Sequence, residues 1–183
     1  MDHIKKPVGI LLCGAWFALH CVHAHAAPPT EYEVKAAFIH NIASFVKWPA
    51  APSAGGKLRL CILGSSPFTE AAGVLAGEQI DGLVWEVRHV DSRSALQECQ
   101  VLFIAASEGG NLRRILQGVE GRAVLTVGDS DGYAGQGVVV NFYSGQNKVR
   151  FEINEDAARR AGLKISSQLL KLARIVRDAG GVK

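Results

Sequence analysis

Polar side chains that could hold a ligand follow several short apolar runs of this sequence. Ser65 and Ser66 follow one run, Ser107 and Glu108 follow another, and Asp129 follows a third. Hydroxyl and carboxylate groups form the hydrogen bonds that orient a small polar molecule in a pocket. The same residue types also cap helices and build turns, which is a purely structural use. Both interpretations stay open from the sequence alone.

Patterns typical of catalysis or metal binding are sparse in the sequence. Beyond residue 26 the histidines are His40 and His89, and neither has a second histidine or a glutamate at a metal-binding spacing. The sequence contains no Gly-x-x-x-x-Gly-Lys phosphate loop. Asp129 and Asp131 resemble the start of a calcium loop, but its later ligands are missing. We therefore expect a binding or regulatory protein with no catalytic residue, metal or cofactor.

The elements that must position these side chains alternate along the chain. We predict strands over residues 58–63, 83–90, 101–105 and 123–127, and helices starting at Ser66, Asp91 and Ser107. Residues 138–143 and 148–153 predict a β-hairpin. Alternation of this kind is typical of parallel βαβ units, whose carboxyl strand ends share one edge. The predicted fold is a single three-layer α/β domain with a mixed, mostly parallel sheet that ends in a β-hairpin.

Three further helices are indicated by capping signals. Thr30 and Glu33 form a capping box, so a helix should begin there and stop before Pro49. Asn154 should cap a helix that Gly162 ends, and a last helix should run over residues 167–177. In that last helix the basic residues share one side, which is usually a solvated face. They are Lys171, Arg174 and Arg177.

The first predicted helix is apolar on two adjacent stripes. One stripe contains Val34, Ala37, Phe38, Ile42 and Phe45, and the second contains Ala36, Ile39, Ala43 and Val46. A helix with so much apolar surface must be covered on two sides. Either the domain itself covers both stripes, or the second stripe meets another protein chain. On the second interpretation, we expect Ile39, Val46 and Trp48 to form an interface.

The N-terminal segment has the three parts of a secretory signal. Lys5 and Lys6 precede an apolar run over residues 8–19, and Ala24 and Ala26 suit cleavage after residue 26. The run is too short for a membrane span, so we expect no membrane insertion after cleavage. About 157 residues then remain, enough for one domain over residues 27–183.

The charge and cysteine content narrow the class of protein further. The formal net charge is +3, which gives no indication of nucleic-acid binding. Two of the four cysteines, Cys61 and Cys99, lie beyond the predicted signal. In an oxidising compartment such a pair is more often a structural bridge than two free thiols.

Motifs spread over nearly the whole predicted mature chain resemble the YfiR-like family. They are EYEVKAAFI (31–39), LCILG (60–64), CQVLFI (99–104), VLTV (124–127), VRFEIN (149–154) and ISSQLLKLA (165–173). Many segments in the same order make the resemblance specific.

The resemblance implies a periplasmic regulatory protein that binds the periplasmic domain of an inner-membrane diguanylate cyclase. Repression of that enzyme lowers cyclic-di-GMP and biofilm formation. The family resemblance also implies a homodimer and a disulfide between Cys61 and Cys99. The founding member has a second cysteine pair nearer the C-terminus, and this chain has no cysteine there. The alternative is a periplasmic small-molecule-binding module that uses the strand-end loops.

Overall fold

A computed structural model describes residues 28–49, 55–91, 94–146 and 148–179. The predicted secretory signal, residues 1–26, lies outside these ranges. Helices α1–α5 are Glu31–Ser44, Phe68–Ala71, Leu112–Gly118, Glu155–Arg160 and Ser167–Leu170. Strands β1–β10 are Val46–Lys47, Lys57–Leu63, Gln79–Ile80, Leu83–Val90, Val101–Ile104, Leu125–Gly128, Val140–Gly145, Lys148–Asn154, Lys164–Ile165 and Arg174–Val176. Within the described ranges no helix has the length and apolar character needed to cross a membrane.

Eight strands form one mixed sheet in the order β10-β8-β7-β6-β5-β2-β4-β3. The central strands pair in parallel, whereas β7–β8 and β3–β4 are antiparallel. The predicted α/β fold with a mixed, mostly parallel sheet and a hairpin is confirmed. One strand, β10, extends the sheet beyond the hairpin by pairing in parallel with β8. The remaining strands, β1 and β9, form a separate two-stranded antiparallel ribbon.

Apolar side chains cover both faces of the sheet and give the domain three layers. Along β2 the side chains of Leu60 and Ile62 join the core beneath α1, and those of Cys61 and Leu63 join the core beneath α3. This alternation is the normal consequence of the pleat. Each fully buried leucine or isoleucine contributes about 1.5–3 kcal/mol relative to exposure.

Helix α1 begins where its capping box predicts. The Glu33 amide donates to the Thr30 hydroxyl at 3.3 Å, and the Thr30 amide donates to the Glu33 carboxylate at 2.6 Å. The pKa of Glu33 is lowered, first by the bond from the Thr30 backbone. The helix ends at Ser44, and the chain then enters β1 before it reaches Pro49.

Two of the predicted helices are only partly helical in the structure. The segment predicted to follow Asp91 contains a 3₁₀ turn over Ser94–Glu98. The helix predicted to start at Ser107 is a 3₁₀ turn over Ala106–Asn111, and α3 begins after it. Gly109 and Gly110 explain the delay, since glycine disfavours a regular helix by about 1 kcal/mol per residue. By contrast, Asn154 caps α4 as predicted, because its Oδ1 accepts from the Ala157 amide at 2.9 Å.

The prediction of a final helix over residues 167–177 is wrong beyond α5. The chain turns after Leu170 and continues as β10, which pairs with β8 in the register Arg174 to Glu152 and Val176 to Asn154. Ile175 and Val176 are β-branched and favour strands. The backbone groups at the edge of β8 offer these residues hydrogen bonds that a helix would leave unused.

The basic residues of this segment therefore do not share one helical side. Arg174 forms an ion pair with the buried Glu152. The Arg177 guanidinium lies 3.4 Å from the Asp156 Oδ1. Lys171 is exposed in the turn before β10.

Candidate functional site

The loops that follow β2 and β5 touch each other at the carboxyl edge of the sheet. The Ser65 amide donates to the Ser107 hydroxyl at 2.9 Å. Gly64 makes this approach possible, because its φ is +90° and an added Cβ would lie 2.5 Å from the Ser107 oxygen and 2.8 Å from Glu108. The structure thus brings these predicted residues together, as the parallel strands require.

The other polar groups of these loops have local partners. The Ser66 hydroxyl accepts from the Phe68 amide at 3.2 Å, which gives it a capping role at the start of α2. The Glu108 carboxylate accepts from the Asn111 amide group at 3.1 Å. The assignment of these side chains to ligand binding stays a prediction, and each already has a structural use.

Asp129 forms a buried ion pair with a residue of α1. The Lys35 Nζ lies 3.1 Å from the Asp129 Oδ2 and 2.8 Å from the Glu31 Oε1, and the Lys35 and Asp129 side chains are each only 6% exposed. The same Nζ lies 4.5 Å from the centre of the Tyr32 ring. Burial opposes the charged form of Lys35, but hydrogen bonding to Glu31 and the charge of Asp129 outweigh it, so its pKa is raised. The pair ties α1 to the end of β6.

Beside this ion pair, Tyr133 packs against the end of β6. An added Cβ at Gly128 would lie 2.6 Å from the Tyr133 ring, so only glycine fits here without movement. The Tyr133 hydroxyl donates to the Ala105 carbonyl at 3.3 Å. Burial, the largest cause, raises the pKa of Tyr133. The phenol is therefore neutral and fixes the β5 and β6 loops to each other.

A second buried network joins β7, β8 and β10. The Asn141 side-chain amide donates to the Ser130 carbonyl at 2.9 Å and to the Glu152 Oε1 at 3.1 Å. Arg174 donates to the other Glu152 oxygen and lies 4.2 Å from the centre of the Tyr143 ring. Hydrogen bonding to Glu152 raises the pKa of Arg174. The network secures β10 against the sheet.

Two buried oxygens at this edge have no hydrogen-bond partner among the described residues. They are the Ser130 Oγ and the Asn141 Oδ1. Buried polar atoms normally have a partner, and an ordered water is the usual one.

The predicted interface residues lie in different environments. Ile39 is fully buried and Val46 nearly so, and both belong to the core beneath α1. The domain's own core thus covers these two side chains of the second stripe. Trp48 is partly exposed and packs against the same core, so an interface role for this residue stays a prediction.

The two cysteines form the expected bridge. Cys61 and Cys99 are disulfide-bonded with a Cα–Cα distance of 5.7 Å, and both are buried in the core beneath α3. Cys61 lies in β2, and Cys99 precedes β5, the strand that pairs with β2 in parallel. The bridge therefore fixes neighbouring strands near the middle of the sheet.

Neither described histidine has a catalytic partner. The His40 Nδ1 accepts a hydrogen bond from the Trp85 indole at 3.0 Å, which satisfies a buried donor. His89 is exposed on β4. Both observations fit structural roles for these residues.

The sequence patterns predict neither of the two ion pairs, Lys35–Asp129 and Arg174–Glu152. Lys35 appears in them only as part of a family motif, and Arg174 is predicted on the solvated side of a helix. A signal for Lys35 was available, because it is a single lysine between apolar residues of a helix that must be covered on two sides. A lysine is rarely buried in such a position without an ion-pair partner.

The fold is similar to that of a solved structure, the ABC domain in complex with L-Trp from Streptococcus pneumonia. The TM-score is 0.55 and the sequence identity is 11%. The match covers 80% of this chain, and this chain spans only 60% of the length of that one. At this identity the likeness concerns the fold alone.

A second comparison concerns the family. The profile of a family described as YfiR/HmsC-like matches residues 32–174. That range includes all of α1 except Glu31, the disulfide and the ion pairs Lys35–Asp129 and Arg174–Glu152, and it ends at Arg174. The resemblance found in the sequence motifs is thereby confirmed, and the chain belongs to the YfiR/HmsC-like family.

Proposed function

We propose that this protein is a periplasmic regulator that binds the periplasmic domain of an inner-membrane diguanylate cyclase and represses it. Its action lowers cyclic-di-GMP and thereby biofilm formation. The observation that carries this proposal is the family match over residues 32–174. Members of this family are regulatory rather than catalytic.

The chemistry of the sheet edge supports a binding role over a catalytic one. The Ser107 hydroxyl accepts from the Ser65 backbone amide, and the Asp129 carboxylate pairs with Lys35. Among the described residues no hydrogen bond joins a histidine to a serine hydroxyl, which is one arrangement that activates a serine nucleophile, and the His40 ring instead accepts from Trp85.

The test compares export-competent and export-deficient forms in the native host. Deletion of the gene should raise cyclic-di-GMP, and the full chain should restore the low level. A form without residues 1–26 should not restore it, because it would stay in the cytoplasm. Unchanged cyclic-di-GMP in a deletion strain whose parent expresses the protein would refute the proposal.

A second candidate function, small-molecule binding, is favoured by a cavity of about 310 Å³ between α3 and α4. Leu116, Val124 and Ala157 form part of its apolar lining, and Arg113 also lines it. The volume is at the lower end of the range for small-molecule sites. This cavity lies apart from Ser65, Ser66, Ser107, Glu108 and Asp129, which were the predicted ligand residues.

Native mass spectrometry of protein purified from the periplasm tests this second candidate. A retained small molecule that is lost in Ala157→Trp but kept in Ser107→Ala would place binding in the cavity. The reverse result would place it at the strand-end loops.

A further inference from the structure

The β1–β9 ribbon brings two lysines directly opposite each other. Val46 pairs with Ile165 and Lys47 pairs with Lys164 in an antiparallel register. Val46 is buried, whereas both lysines are exposed. Like charges directly opposite each other destabilise a strand pair. Neither lysine forms an ion pair within the part of the chain that the structure describes, so this repulsion has no internal compensation.

The segments around the ribbon are basic and partly apolar. Residues 45–49 and 163–173 contain Lys47, Lys164 and Lys171 and no aspartate or glutamate. Leu172 is 75% exposed, the highest value among the large apolar side chains of the described residues. A helical turn links it to β9, which keeps it on the order of 10–15 Å from Lys164.

Trp48 adds a large aromatic side chain next to Lys47. Its ring is partly exposed, while its indole N–H is buried and has no acceptor among the described residues. A buried donor without an acceptor is unfavourable. The basic patch, defined as Lys47, Trp48, Lys164, Lys171 and Leu172, thus combines unpaired cations, exposed apolar surface and an unsatisfied donor.

We propose that the basic patch is the surface on which the regulated protein docks, and that this partner presents an acidic segment with at least one apolar side chain. This inference rests on the proposed function. Partner carboxylates would remove the repulsion between Lys47 and Lys164 and provide charge complementarity. Leu172 and Trp48 would supply the apolar anchors that dominate interface energies.

The charge of the patch argues against two other occupants. In a two-fold symmetric dimer formed through this patch, the patch of one copy would face the patch of the other, and their like charges would repel. An anionic membrane surface is usually bound by clusters of four to eight basic residues, and this patch has three lysines. An acidic protein segment can place carboxylates beside Lys47 and Lys164, which lie opposite each other across one strand pair.

The experiment measures binding of the mature chain to the purified periplasmic domains of the host's membrane diguanylate cyclases. Lys47→Glu/Lys164→Glu should weaken binding at least tenfold. The matched control Arg114→Glu/Lys148→Glu changes the net charge equally at two exposed basic residues far from the patch in sequence and should stay within threefold of wild type. Raising the salt concentration should weaken partner binding by the wild type more than partner binding by Lys47→Glu/Lys164→Glu, the ribbon variant.

A single substitution separates docking from folding. Lys47→Glu places opposite charges across the strand pair, so its melting temperature should equal or exceed that of the wild type. Its binding to the cyclase domain should nevertheless weaken about fivefold. A structural role alone would instead change stability and leave the affinity of the folded protein unchanged.

The remaining outcomes distinguish failure of the basic patch as docking surface from failure of the proposed function. If the wild type binds a cyclase domain and the ribbon variants bind equally well, the basic patch is not the docking surface, and the proposed function stands. If the wild type binds no cyclase domain, the proposed function fails and this inference fails with it. A vesicle flotation assay tests the membrane alternative. If the wild type floats with vesicles containing anionic phospholipid and Lys47→Glu/Lys164→Glu does not, the patch binds the membrane and the inference is overturned.

Discussion

Replacing Lys35 with methionine should strongly destabilise the fold. Methionine keeps the unbranched chain and much of the apolar volume but removes the charge. The Asp129 carboxylate, whose side chain is 6% exposed, then loses its cation. A buried carboxylate without a partner must take up a proton or draw water into the site, and either response lowers the free energy of unfolding.

The geometry sets the expected size of this effect. At 3.1 Å the attraction between Lys35 and Asp129 is about 5 kcal/mol for an effective dielectric constant of about 20, and desolvation offsets part of it. Removing one partner of a buried pair costs about 3–5 kcal/mol. We expect about 3 kcal/mol, because Asp129 lies at the sheet edge, where water can reach it after a small rearrangement.

Urea unfolding of the mature chain, followed by tryptophan fluorescence, measures this loss. Lys47→Met is the matched control, since Lys47 is exposed and its replacement should change stability by less than about 0.5 kcal/mol. The double variant Lys35→Met/Asp129→Leu should recover most of the stability, because two apolar groups replace the pair. A loss below about 1 kcal/mol for Lys35→Met, or a double variant less stable than the single one, would refute this reasoning.

Three other measurements probe separate parts of the fold. Cys61→Ala/Cys99→Ala should lower the free energy of unfolding by about 3–4 kcal/mol, because the bridge joins residues 38 positions apart; a change below about 1 kcal/mol in urea unfolding would contradict this. Hydrogen bonding to Arg160 lowers the pKa of Asp178 below its ordinary 3.8 despite burial, so the ionised carboxylate stabilises the fold above that pH and the effect is lost as the pH falls. Asp178→Asn should therefore flatten the loss of stability below about pH 4, and an acid-unfolding curve parallel to that of wild type would contradict it. Ile39→Ala should cost about 3 kcal/mol in thermal unfolding, because the side chain is fully buried, and an unchanged melting temperature would place this residue outside the core.

Local signals predicted the elements whose ends are set by nearby residues. The capping box at Thr30 and the cap at Asn154 lie within four positions of the amides they bind, so the sequence contains both partners. The strand β10 could not be predicted in this way. Its apolar and basic residues fit a helix equally well, and the decisive partner is the edge of β8, 22 residues away for Arg174 and Glu152.

The same difference between predictable local contacts and unpredictable long-range contacts holds at the carboxyl edge of the sheet. Parallel strands imply that the loops containing Ser65 and Ser107 meet, and the structure brings them within hydrogen-bonding distance. The approach of Lys35 to Asp129 joins positions 94 residues apart, and no local pattern specifies it. Burial of Ile39 was likewise open, because a stripe on a helix does not reveal which surface covers it.

Repression by binding requires that this protein prefer the inactive conformation of the cyclase. Moving an equilibrium from almost fully active to almost fully inactive takes a preference of about 5.5 kcal/mol. Two anchors of the kind that Trp48 and Leu172 represent reach that value at about 3 kcal/mol each, if their contacts exist only with the inactive form. A rigid surface loses less free energy to ordering on binding. The disulfide and the Lys35–Asp129 pair supply that rigidity within the domain, so loosening either one should weaken repression even though neither lies in the basic patch.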